Sequence, residues 1–124
     1  MTKTNKPDSQ IIIYQTESGK KKIEMRLQDE TVWLTQKLMA ELFQTTKQNI
    51  SLHLKHIFEE GELDESATCK ESLQVQTEGN HQVERTVKFY NLKAIIEVSF
   101  RVFSYRGIPF RLWANERLKE YMVK

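Results

Sequence analysis

Between Thr35 and Phe58 the apolar residues fall into two helical registers with a short break between them. Leu38, Met39, Leu42 and Phe43 recur at the spacing of one helix face, Gln44-Thr45-Thr46 interrupts it, and Ile50, Leu54, Ile57 and Phe58 resume it. Helices this short, about 36–43 and 46–58, do not persist alone in water, so each must turn its stripe onto other parts of the chain. Thr35 and Thr46 stand where a hydroxyl can cap a helix start, and Gly61 where the second helix can end. Ala40 in the first helix is followed ten positions later by Ile50. The small side chain lets the helices cross closely and the later one locks the second helix's rotation, which is the spacing of a helix-turn-helix.

The flanks read differently. Strand-like stretches at Ile11–Tyr14, Lys22–Leu27 and Thr31–Leu34 are separated by Ser18-Gly19 and by Gln28-Asp29-Glu30, which predicts an N-terminal β-ribbon. Residues 72–77 and 83–90 alternate in sidedness around the polar stretch 78–82, a hairpin that would set Leu73, Val75, Val83, Val87 and Phe89 on one side. Asn91 can cap a third helix carrying Leu92, Ile95, Ile96 and Phe100. After a turn at Arg106-Gly107-Ile108-Pro109, a fourth runs through Trp113, Leu118 and Tyr121. The expected fold is α+β and winged-helix-like: a β-ribbon, a helix-turn-helix, a hairpin wing and two C-terminal helices. Residues 11–124 make one domain behind a flexible polar lead-in at 1–10.

Several classes of function fall away. The longest apolar run, Ile11 to Tyr14, is far below the roughly 20 residues of a membrane span. With Cys69 as the only cysteine there is no internal disulfide, which fits a reducing bacterial cytoplasm. No phosphate-binding glycine loop or nucleophile motif occurs, and the expectation is that the chain is not an enzyme and takes no cofactor. His53, His56, Cys69 and His81 lack the paired spacing of a structural zinc site, so no metal is expected either. The net charge of +2 is small but segregated. Residues 1–27 carry six basic and three acidic groups, residues 100–124 six and two, while residues 59–84 carry eight acidic groups and one Lys. One surface should therefore be basic and another acidic, and only the first can approach phosphate.

If Ile50, Leu54 and Ile57 face inward, Gln48, Leu52 and Lys55 lie opposite, with Asn49 and Ser51 beside them. Amides can read an adenine edge, Leu can meet a thymine methyl, and Lys can take guanine or phosphate. Thr45, Thr46 and Lys47 sit at the helix start, where free amides favour phosphate. No acidic residue lies between Phe43 and Phe58, whereas Glu59, Glu60, Glu62, Asp64 and Glu65 follow at once. Asn80 and His81 at the hairpin tip, with Arg85 and Lys88 on the returning strand, are candidates for backbone or minor-groove contact. The plainer readings are an αα-hairpin that only packs a core and a hairpin tip that is only a solvated turn. The expected partner is double-stranded DNA, bound by a homodimer with Phe100, Phe103 and Tyr105 as interface or core residues. Arg106, Arg111, Arg117 and Lys119 either contact the DNA backbone or solubilise the last helix.

Read together, DETVWL (Asp29–Leu34), MAELFQTTKQNISLHL (Met39–Leu54), EGEL (Glu60–Leu63), FYNLKAII (Phe89–Ile96) and YRGIPFRLWANERL (Tyr105–Leu118) resemble the virulence protein RhuM family over about residues 23–121. Lys93 and Phe103 depart from its pattern. More loosely, the order of parts up to Phe110–Ala114 is similar to the N-terminal DNA-binding domains of phage antirepressor and Bro-type proteins. The resemblance implies a link to mobile elements and pathogenicity, with either transcriptional regulation or antirepressor-like protein binding as the role. Family members are usually longer, so the chain is either part of a longer protein or a short member.

Overall fold

The computed structural model describes residues 10–16 and 21–118, with side chains to Glu116. The expectations placed on residues 1–9, Ser18-Gly19, Lys119, Tyr121 and the side chains of Arg117 and Leu118 lie outside that range. Among the described residues the fold is mixed α+β, with five helices and a five-stranded antiparallel sheet. The strands are β1 (Gln10–Gln15), β2 (Lys22–Gln28), β3 (Thr31–Leu34), β4 (Cys69–Glu78) and β5 (His81–Asn91), in the spatial order β1-β2-β3-β5-β4. The helices are α1 (Gln36–Phe43), α2 (Lys47–Glu59), α3 (Glu65–Thr68), α4 (Leu92–Arg101) and α5 (Gly107–Trp113), the last continued by a π-helical turn, Ala114–Leu118.

Alternation along β2 buries Ile23, Met25 and Leu27 and fixes its inner face. The two residues between β2 and β3, Asp29 and Glu30, both have positive φ (56° and 63°), the backbone that matches strand twist in a tight hairpin. Helices α1 and α4 lie on the sheet against β3 and β5, and α2 packs chiefly on α1 and α4 as an outer layer. Phe43, Phe110, Ile23, Met25, Leu34, Met39, Leu42, Ile50, Ile57, Ile95 and Val32 are fully buried in the resulting core.

Two sequence expectations need correction here. The hairpin turn is Gly79-Asn80 alone, closing Glu78 opposite His81, whereas a five-residue polar loop was expected. Because sidedness has period two, this shorter loop shifts the pairing by one residue and changes which side chains share a face. Leu73 now pairs with Thr86 and Val75 with Glu84, while Val83 and Val87 stand opposite Gln76 and Ser72. Leu73 and Val75 therefore lie on the opposite face from Val83, Val87 and Phe89, and both are more than 60% exposed.

The second correction concerns Gly107-Ile108-Pro109, expected as a turn, which form the first turn of α5. Pro109 is tolerated there because the first amides of a helix have no intrahelical acceptor. Gly107 is required by proximity: a Cβ on it would come within 2.7 Å of the Ser99 carbonyl oxygen on α4.

Candidate nucleic-acid interface

The rotation of α2 is set by its buried stripe. Ile50 and Ile57 are fully buried and Leu54 nearly so. At about 1.5–3 kcal/mol for each side chain removed from water, the stripe outweighs any polar preference of the other face. Thr46 caps the helix, its hydroxyl accepting from the Asn49 backbone N–H at 3.0 Å, as Thr35 caps α1 by accepting from Leu38 at 3.2 Å. Between the helices Gln44 takes the left-handed conformation, and Gln44 and Thr45 both donate to the Ala40 carbonyl. Ala40 is buried, as its proposed place at the helix crossing requires.

Lys47, Gln48, Ser51, Leu52 and Lys55 are consequently exposed on the outer face, Leu52 to 49%. Asn49 behaves differently from its neighbours. It is half-buried, and its Nδ2 donates to the Thr45 hydroxyl at 2.9 Å, so the two side chains hold each other. That pair stiffens the start of α2 and leaves Asn49 less free to read a base than Gln48.

The starts of α1 and α2 converge on one groove with the hairpin. Thr35, Gln36, Lys37, Lys47, Gln76, Arg85, Thr86, Val87 and Lys88 line a space of about 450 Å³. Four of these nine residues are cations, and no acidic side chain lines the groove. Lys37 and Lys47 are exposed and have no carboxylate partner among the described residues. Arg85 and Lys88 are partly occupied. The Arg85 guanidinium clasps Glu78 through Nε and Nη2 at 2.7 and 2.9 Å, and Lys88 lies 3.6 Å from Glu65. Tyr90, and after it Glu65, hold the Lys88 ammonium above its ordinary pKa, so it stays charged.

Lys37 was missed in the sequence because α1 was read only as support for α2. Its signal was present in its position one residue into a capped helix, the same place that Lys47 nearly occupies on α2. The expected wing residues divide. Arg85 and Lys88 line the groove, whereas Asn80 and His81 are exposed at the hairpin's far end and do not.

Ser51 and Lys55 lie over a second, shallower cleft between α2 and β5, together with Phe58, Glu59, Glu65, Lys88 and Tyr90. Its charges are mixed, which suits an anion less well than the acid-free groove. Tyr90 accepts from Gln36 Nε2 at 3.0 Å and stacks on Phe58, and burial raises its phenol pKa.

Among the described residues no group of three or more His, Cys, Asp or Glu is placed to hold a metal. Burial, then Arg101 and His56, push the His53 imidazole below its usual pKa, towards the neutral form. Burial raises the Cys69 thiol pKa, which favours its protonated form. The acidic run after α2 is partly tied to the core's edge, Arg101 binding Glu60 at 2.8 Å and Glu97 at 3.8 Å.

Of the C-terminal cations, Arg111 is tied into the fold. It stacks over Phe100 at 3.9 Å and donates to the Ser99 carbonyl and hydroxyl, fastening α5 to α4. Phe100, Phe103 and Tyr105 are all well exposed, which removes them from the core.

The segment from α3 to the C-terminus carries the hairpin and both C-terminal helices. Residues 67–124 match the model of the virulence protein RhuM family. The resemblance seen in FYNLKAII and YRGIPFRLWANERL thus stands over the part of the chain, a little under half, that contains β4, β5, α4 and α5. α1, α2 and the N-terminal strands precede the RhuM match and meet it at the groove, where Lys37 and Lys47 face Arg85 and Lys88. No curated protein and no solved structure is significantly similar to the chain.

Proposed function

We propose that the chain is a non-catalytic module that binds double-stranded DNA in winged-helix fashion, with α2 in the major groove and the β4–β5 hairpin as the wing. The observation that carries this reading is the acid-free groove where the starts of α1 and α2 meet the hairpin, lined by Lys37, Lys47, Arg85 and Lys88. A phosphate strand seated there would meet four cations and the positive ends of two helices. It would leave Gln48 and Leu52 on the outer face of α2 to meet base edges, with Ser51 and Lys55 further along. Regulation of transcription in a virulence setting is the role that fits such a module and the matched family's name.

Binding to a duplex of random sequence, measured against salt, tests the reading. Each phosphate neutralised adds about −0.9 to the slope of log affinity on log salt, so the groove alone should give a slope of roughly −3 to −4. Affinity that barely changes with salt removes the groove as the contact. A second measurement follows from the Glu78–Arg85 clasp, which phosphate has to displace. An exposed pair of this kind is worth about 0.2–1 kcal/mol, so Glu78→Gln should strengthen binding by about 1.4- to fivefold, and a weakened variant would count against Arg85.

A second reading, an antirepressor-like module that binds a protein, is favoured by one observation. Phe100, Phe103, Tyr105, Ile108 and Leu112 are exposed on and between α4 and α5. Substituting polar residues at Phe103 and Leu112 leaves DNA affinity intact if DNA is the ligand.

A further inference from the structure

β4 is an edge of the sheet: it pairs with β5 on one side and with no strand on the other among the described residues. Its ladder with β5 runs unbroken through ten pairs, from Cys69 opposite Tyr90 to Glu78 opposite His81. Exposed edges are usually guarded by a central charge, a proline or a bulge. The centre of β4, Ser72-Leu73-Gln74-Val75-Gln76-Thr77, carries no charge and no proline, and the continuous register leaves no bulge. Leu73 and Val75 are 63% and 62% exposed on the same face, a two-residue apolar stripe that nothing in the monomer explains.

We propose that β4 is a self-pairing surface, through which two copies of this chain join edge to edge, antiparallel, about a two-fold axis at Gln74. The strand is self-complementary in that register. Leu73 falls opposite the second copy's Val75, Ser72 opposite Gln76, Glu71 opposite Thr77 and Lys70 opposite Glu78, so an apolar pair occurs twice and Lys70 and Glu78, which bind Asp29 and Arg85 within each chain, stand as unlike charges at both ends. Moving the axis to Leu73 sets Glu71 against Val75, and moving it to Val75 sets Leu73 against Thr77, so both alternatives lose the apolar pair of unlike residues and the terminal charge match.

Geometry then makes the dimer useful. A two-fold axis normal to a sheet keeps like faces on like sides. Gln76 and Arg85 on one face of the hairpin and Thr86 and Lys88 on the face of Leu73 and Val75 all line the groove, so the two-fold axis would set both basic grooves at the same height on one continuous sheet. That arrangement suits two half-sites of one duplex. This last consequence rests on the DNA reading, whereas the pairing itself does not.

The test is made without DNA, so its failure is distinct from a failure to bind duplex. Light scattering over a concentration series should show a monomer–dimer equilibrium. Leu73→Lys with Val75→Lys, two exposed positions, should weaken it by at least roughly tenfold by placing like charges opposite one another, with circular dichroism unchanged. In a Cys69→Ser background, Gln74→Cys chains should be joined by a short bis-maleimide, and Leu112→Cys chains should not. A strict monomer, a dimer indifferent to the two lysines, or cross-linking through position 112 in place of 74 each overturns the proposal.

Discussion

Reversing the two unpaired groove lysines, Lys37→Glu with Lys47→Glu, is expected to reduce duplex affinity by at least roughly 100-fold and to flatten the salt dependence by about 1.8 in log–log slope. Neither lysine has a carboxylate partner among the described residues, and both are exposed, so folding should be untouched and the whole effect should lie in binding. Lys55→Glu is the informative contrast. Its side chain shares a cleft with Glu59 and Glu65, where it already adds little positive potential, and its loss should cost several-fold at most. If Lys55→Glu abolishes binding while the double reversal leaves it intact, DNA lies along the outer end of α2 and the groove is not the site.

The helical part of this architecture was legible because its signals are local. Thr35 and Thr46 cap the helices they were expected to cap, α1 spans the predicted residues, and Ile50, Leu54 and Ile57 are buried as the 3.6-residue period requires. Asn91 likewise caps α4, its side chain accepting from the Ala94 N–H. What sequence could not supply was pairing. The shorter hairpin turn shifted the register by one residue and moved Leu73 and Val75 to the other face of the arm, and nothing in alternation alone distinguishes the two registers. The site was legible in the same proportion. Lys47 and Gln48 are exposed as a helix wheel demands. The clasp of Arg85 by Glu78 and the meeting of Lys37 with Lys88 across 51 positions depend on contacts that no spacing rule encodes, whereas the tie between Asn49 and Thr45, four apart, was open to one.

Phe110→Ala should produce a large loss of stability, about 3–5 kcal/mol, against the roughly 5–15 kcal/mol that holds a domain of this size. The ring is completely buried and sits at the meeting point of three parts of the chain. It contacts Tyr14 of β1 edge-on at 5.6 Å, Phe43 of α1 edge-on at 5.8 Å and Trp113 of α5 at 5.9 Å. Truncation removes the transfer free energy of the ring and leaves a cavity whose walls belong to a sheet and two helices, which cannot all close inward at once. Tyr14 and Phe43 precede the segment that matches the RhuM family, whereas Phe110 lies within it. The variant therefore asks whether the two halves share one core. If they do, thermal unfolding stays a single transition whose midpoint falls by about 10–25 °C, and hydrogen exchange quickens in β1 and α1 as much as in α5. Phe103→Ala, a similar truncation at a ring fully open to solvent, should change stability by no more than about 0.5 kcal/mol. Protection lost in α5 alone, with β1 and α1 unaffected, would mean that the C-terminal helices fold as a separate unit and that the groove joins two units instead of lying on one.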